Sequence, residues 1–304
     1  VPPRLNRRAQ GYLRPMRVLV TGWPSFREGE ATAGDVLSMR RVSEVLAGAG
    51  VAHDSAWSPG FRPGALSLDD ADPREYTHLV FACGPAHGRQ VRWLHERYAA
   101  CRRIAVGVSV IDHDDTAVTG FHRILARDDG EMSTVDLSLT AAAHPVPVAG
   151  VVLAPAQPEY GASRRHDEVH AHLSDWLSTL DCARVPVDTR LACDDWSKCA
   201  TPDQFLSLVG RFDAIVTTRL HGLVLALRAG VPVLAVDPVE DGGKVTAQAG
   251  ALGWPAIVAA RRAGEPGLLD RWWAWCLSRA GTAAAKDGRG GGTLAEQLLS
   301  EVSR

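Results

Sequence analysis

The chain has 304 residues, 46% of them hydrophobic and 22% charged, with a formal net charge of −2. That length suffices for one or two cores and favours two domains, and the near-neutral balance excludes a global basic field for nucleic acid or an anionic membrane. Six cysteines without a CxxC pair exclude a disulfide framework and read as reduced, mostly buried thiols.

Residues 1–15 read as a loose leader. Arg4, Arg7, Arg8 and Arg14 have no apolar stretch behind them, so neither a secretory signal nor a membrane span is expected there. No apolar run elsewhere reaches membrane length, and the expectation is a cytoplasmic protein with no integral membrane segment. Met16 to Gly22 reads as a buried strand ending in glycine, the opening of an α/β unit. After a glycine-bearing loop, Asp35 is expected to cap a helix carrying Val36, Leu37, Met39, Val42, Val45 and Leu46 at helical spacing. Further strands are expected at His78–Gly84, Ile104–Ser109 and His122–Asp128, with a helix over Val91–Tyr98. The turn Gly84-Pro85-Ala86-His87-Gly88 resembles a phosphate loop only weakly. Asp112 to Asp115 reads as a polar turn.

The proline-rich stretch His144 to Val148 marks a boundary. A second alternation follows: strand Val151–Ala154, helix Glu168–Thr179, strand Ala183–Val187, a helix from Thr201 to Val209, strand Ala214–Thr218, a helix through Leu227, and strand Val231–Val236. A tryptophan-rich helix surrounds Trp272, and Ala283 to Gly292 reads as a linker to a short terminal helix. Alternating strands and helices predict an α/β fold of two Rossmann-like domains with parallel sheets and a ligand cleft between them. The domains are residues 16–148 and 149–282, followed by 283–304 as linker and terminal helix.

Two segments carry chemistry. His166-Asp167-Glu168-Val169-His170 puts two histidines on one helical face, but the zinc-protease pattern needs Glu directly after the first His. A solvated helix start is expected there, and no metal. The stronger signal is Thr217-Thr218-Arg219-Leu220-His221-Gly222, where a buried strand runs into a helix. The first N–H groups of that helix lack intrahelical partners and the dipole is positive there, so the turn attracts anions. Arg219 adds a fork suited to phosphate or carboxylate, His221 can transfer a proton near neutral pH, and Gly222 permits close approach. Lys244, beyond the loop Asp241-Gly242-Gly243, is expected to face the same site. On spacing alone, an Arg219 paired with a protein carboxylate and a helix-start His221 stand equally beside this reading.

Residues 213–254 resemble the C-terminal signature of the polysaccharide pyruvyl transferase family. The likeness lies in Arg219-Leu220-His221-Gly222, a small-residue helix, Gly230-Val231-Pro232, Lys244 and Leu252-Gly253-Trp254. Similarity continues upstream at Gly34-Asp35, Cys83-Gly84, Gly107-Val108-Ser109 and Arg127-Asp128, so the resemblance spans roughly residues 16–260. It implies a GT-B-like fold and transfer of pyruvate from phosphoenolpyruvate onto two sugar hydroxyls as a ketal, without a further cofactor. By resemblance the N-terminal domain is the acceptor side and the C-terminal domain holds the donor. In the donor site Arg219 is the anchor, His221 the acid, Thr218 and Gly222 donor contacts and Lys244 a helper, with Arg127 as a second anion-binding arginine. Asp35 is a candidate base, although its role as a helix cap weighs more. Gly84 and His87 are candidate acceptor contacts. The family's glycine run is replaced by Cys83-Gly84-Pro85, and the loop Gly22–Gly34 departs from the family's asparagine-glycine-aspartate form. Two other functions are compatible with the residues. One is a GT-B glycosyltransferase using a nucleotide sugar, with Asp237 or Glu240 reading the nucleoside. The other is a non-catalytic relative that binds an anion.

Overall fold

The computed structural model describes residues 15–155, 158–287 and 293–303, and the chain divides between His144 and Pro145 into two compact units. The leader expected over residues 1–15 lies, apart from Pro15, outside the described residues.

In the first unit the order is β1 (Arg17–Thr21), α1 (Ala33–Gly48), β2 (Ala52–Ser55), β3 (His78–Ala82), α2 (Gly88–Arg97), β4 (Arg102–Ser109), α3 (Thr116–Thr119) and β5 (Arg123–Asp128). The strands form one parallel sheet in the order β2-β1-β3-β4-β5. Strand side chains alternate between its faces. Leu19, Leu79 and Phe81 enter one core with Val91 and Leu94 of α2, while Val18, Val20 and Val80 enter another with Met39 of α1. This two-sided burial explains why the strands read as continuous apolar runs.

The second unit follows as β6 (Val148–Val152), α4 (His166–Thr179), β7 (Ala183–Pro186), α5 (Pro202–Val209), β8 (Ala214–Thr217), α6 (Leu220–Arg228), β9 (Val233–Asp237), α7 (Lys244–Ala251), β10 (Ile257–Ala259), α8 (Leu268–Leu277), α9 (Arg279–Lys286) and α10 (Thr293–Val302). Its sheet runs β10-β9-β8-β6-β7, also all parallel. Read from the other edge, this is the order of the first unit. In both, the first strand is flanked by the second on one side and the third on the other. The connections therefore reverse direction between β1 and β3, and again between β6 and β8. Such a reversal opens a crevice at the carboxyl ends of the two strands, where ligands bind in open α/β sheets.

The expected pair of Rossmann-like α/β domains is thus present. Three local expectations change. Thr32, not Asp35, is the N-cap of α1: its Oγ1 accepts the Asp35 N–H at 3.2 Å, and Asp35 sits inside the first turn. Ala283 to Lys286, expected as linker, form the end of α9, whose N-cap Ser278 accepts the Gly281 N–H; residues 288–292 lie outside the described residues. The metal-like histidine segment is no solvated start, since His166 is 1% exposed. No helix among the described residues is long and apolar enough to cross a membrane.

Candidate functional site

At the strand reversal of the second unit, threonine hydroxyls tie the end of β8 to the end of β6. Thr217 donates from Oγ1 to the Val152 carbonyl at 2.9 Å, and the Ala154 N–H donates to Thr218 Oγ1 at 2.7 Å. His170 Nε2 lies 3.2 Å from the same hydroxyl, and the ring's tautomer sets which of the two donates. Burial pushes His170 below the usual histidine range despite the charge of Asp167, which favours the neutral ring. Sequence reasoning missed this partner because α4 and β8 are far apart in the chain.

Arg219 is the N-cap of α6 but places no side-chain cap on it. Its own N–H is held by Thr217 Oγ1 at 2.9 Å. Among the described residues no side chain caps the first N–H groups of the helix, which lie under the positive end of its dipole. His221 is exposed on the first turn. Gly222 is buried, and a Cβ there would stand 2.2 Å from Thr217 Oγ1 and 3.2 Å from Val152 Cγ1. Its missing side chain thus lets the helix lie against the sheet; the close approach is made by the protein itself, not by a ligand.

The Arg219 side chain turns across the end of β6 to the loop after β7. There it donates from Nη1 to Asp188 Oδ1 at 3.0 Å and to Thr189 Oγ1. Asp188 also receives Arg190, from Nε at 2.7 Å and Nη2 at 2.6 Å, both on Oδ2. Burial pushes the Asp188 carboxyl up, but the Arg190 bonds and the charges of Arg190 and Arg219 outweigh it and hold the group below the usual range. The Asp-Thr-Arg run at a strand's carboxyl end was the available signal for this loop.

Lys244 opens α7 as expected. Its ammonium stands 5.7 Å from the centre of the Tyr160 ring and 3.9 Å from Glu159 Oε1. The two carboxylates considered for reading a nucleoside are engaged elsewhere. Asp237 is fully buried and accepts the N–H groups of Val239, Gly243 and Thr246 as well as the Thr246 hydroxyl, fixing the start of α7. Glu240 pairs with Arg165.

Within the first unit, Arg127 is enclosed. It donates to Asp128 at 2.8 Å, Asp136 at 2.9 Å and Ser109 Oγ at 2.6 Å, with Nη1 at 3.9 Å from Cys83 Sγ. Bonds to the two aspartates push its pKa further up. Arg127, the expected second anion-binding arginine, thus stands between two carboxylates. Asp35 accepts the Thr32 hydroxyl at 2.6 Å, completing the cap of α1. His87 is the N-cap of α2 and bonds through Nδ1 to Asp115 at 2.6 Å, which Arg92 also holds. Gly84 has φ +71, and a Cβ there would meet Trp23 Cδ1 at 2.1 Å. Trp23 thus packs over the strand-to-helix turn, and the non-glycine Cys83 before it takes φ +65. Among the described residues no group of three or more His, Cys, Asp or Glu side chains is placed to hold a metal ion.

Fold and site together define an α/β protein of two like units, the second carrying an uncapped, arginine-led helix start at its strand reversal. A model of the polysaccharide pyruvyl transferase family matches residues 171–238, a stretch that takes in Asp188, Arg190, Arg219 and His221 and stops before Lys244. Over that stretch the match supports the family resemblance and, with it, a transferase. A search of curated proteins gives no match. Among solved structures the chain is similar to a spinosyn rhamnosyltransferase complexed with thymidine diphosphate, at 12% identity and TM-score 0.31 over 89% of this chain and 94% of that one. It is also similar to an E. coli heptosyltransferase with ADP, at 11% identity and TM-score 0.25 over 94% and 99% of the two chains. Likenesses of this strength carry no argument about ligand or arrangement of the units.

Proposed function

We propose that the chain is a pyruvyl transferase that moves pyruvate from phosphoenolpyruvate onto sugar hydroxyls, forming a ketal on a polysaccharide or glycosylated metabolite. The observation that carries this reading is the coincidence of the family match with an open, arginine-led helix start at the strand reversal of the second unit.

The chemistry follows from what the donor needs. Its phosphate and carboxylate call for cations and open N–H groups, supplied by Arg219 and the first turn of α6. Lys244 is the auxiliary cation. Reaction begins when an acid protonates the methylene carbon, giving oxocarbenium character at the carbon that bears phosphate and carboxylate. His221, exposed on the first turn, is that acid. A sugar hydroxyl adds to the carbon and releases its proton. The carbon–oxygen bond to phosphate then breaks, with the leaving charge met by the helix start and Arg219. A second hydroxyl adds, loses its proton and closes the ketal, so one phosphoenolpyruvate and two hydroxyls give one ketal and one phosphate. The base is not assigned, since Asp35 is committed to its helix cap.

A thermal-shift panel tests the donor. Phosphoenolpyruvate is expected to stabilise the protein, while UDP and GDP are not. Stabilisation by the nucleotides alone would establish the glycosyltransferase reading instead, and silence towards all three the non-catalytic one. His221→Ala is expected to keep donor binding within about twofold and to lose at least ~100-fold in turnover, the usual contribution of a general acid. Undiminished phosphate release in that variant would remove His221 from the acid role.

A further inference from the structure

The loop after β7 shows a second feature of the same site. Asp188 accepts bonds at both oxygens from two guanidinium groups brought by different elements. Oδ1 takes Arg219 Nη1 at 3.0 Å and the Arg190 backbone N–H at 2.9 Å; Oδ2 takes Arg190 Nε and Nη2 at 2.7 and 2.6 Å. Arg219 reaches the carboxylate through Nη1 alone and Arg190 through two nitrogens on one oxygen, and convergent charge-assisted bonds of this kind are how arginines hold a ligand's oxyanion. Here the oxyanion belongs to the chain.

The charge count separates this cluster from the one at Arg127. Two guanidiniums on one carboxylate leave a positive surplus, whereas Arg127 between Asp128 and Asp136 leaves a negative one. Burial is graded as well. The side chains of Arg219 and Asp188 are 18% and 25% exposed, and that of Arg190 is 62% exposed. Arg219 and Asp188 are therefore shielded to a similar degree, while Arg190 lies towards solvent and can move aside. Just next to the cluster, the helix start of α6 has N–H groups and no side-chain cap.

We infer that Asp188 is an internal occupant of the anion site, displaced when an oxyanion ligand binds, and that Arg190 is the second guanidinium that then holds the ligand beside Arg219. The ligand class is a small phosphate or carboxylate anion. Its identification as phosphoenolpyruvate rests on the proposed function; the clamp rests on the geometry alone. An internal competitor weakens apparent affinity by the fraction of time it occupies the site. Removing its charge tightens binding, and removing Arg190 loosens it.

Calorimetric titrations of phosphoenolpyruvate, inorganic phosphate and UDP into the wild type, Asp188→Asn, Arg190→Ala and Arg190→Lys test this, with melting temperatures recorded for each protein. Asp188→Asn is expected to bind phosphoenolpyruvate at least ~3-fold more tightly. Arg190→Ala is expected to bind it roughly tenfold more weakly, the loss of one charge-assisted contact. Arg190→Lys is expected to recover part of that loss, since it restores charge without the fork. Weaker or unchanged binding in a folded Asp188→Asn, or wild-type affinity in Arg190→Ala, overturns the clamp while leaving the donor reading in place. The same order of affinities for phosphate or UDP, with no binding of phosphoenolpyruvate, upholds the clamp and overturns the donor reading. No binding of any of the three by the wild type overturns both.

Discussion

Single histidines in the second unit tie the site to pH. His166 is 1% exposed and neither ring nitrogen has a partner among the described residues. Burial, reinforced by the neighbouring His170 ring 6.0 Å away, pushes His166 below the usual histidine range. His170 is pushed the same way by burial. A histidine held neutral in the fold binds fewer protons than the unfolded chain, so stability rises with pH across its titration. The contribution is complete above the unfolded value of about 6.5 and is lost as pH falls through the lowered folded values. Urea unfolding at pH 8, 7, 6 and 5 is expected to show falling stability below pH 6.5, and His166→Phe a shallower fall. An identical pH slope in the variant would exclude His166 as a source. Protonation of His170 in the same range also makes its Nε2 a donor towards the Thr218 hydroxyl, immediately before Arg219.

At the scale of elements, the join between β8 and α6 depends on Gly222. Thr217 is fully buried with its hydroxyl committed to the Val152 carbonyl, so it cannot yield to a Cβ placed 2.2 Å away. Gly222→Ala is expected to destabilise by about 1–3 kcal/mol, the cost of overpacking a close-packed contact. It would also shift the α6 start and weaken donor binding. Equal melting temperature and affinity would show that the helix accommodates the methyl group. Strongly apolar elements such as β1, β3, β8 and β9 were legible in the sequence because burial on both faces leaves unbroken hydrophobic runs. β2 was not legible: its Ala-His-Asp-Ser is an edge strand with no buried residue, stabilised by pairing with β1. β10, three residues long, carries too short a pattern to read. The cap of α1 was misplaced because Thr32 and Asp35 satisfy each other, and either residue type suits an N-cap.

Across the whole molecule, one topology is used twice. The repeated strand order places a crevice at the carboxyl ends of β6 and β8, and the anion-directed turn expected from Thr218 to Gly222 stands there. What the sequence could not reveal was which charges neutralise one another. Arg127 lies near the end of β5, an edge strand with no fully buried residue, and Arg219 follows the buried β8, yet local spacing treats them alike. Only the fold brings Asp136 to the first and Asp188 with Arg190 to the second. The same holds for Asp237, which reads as a free carboxylate after a strand but is used up by the start of α7.

The central claim is that the uncapped start of α6, led by Arg219, binds phosphoenolpyruvate. Calorimetric titration of this donor into the wild type, Arg219→Ala and His221→Ala tests it most directly. Saturable binding is expected of the wild type and His221→Ala, with at least a ~10-fold loss in Arg219→Ala, the effect of removing a charge-assisted contact. No binding by the wild type, or equal affinity in a folded Arg219→Ala, would contradict it.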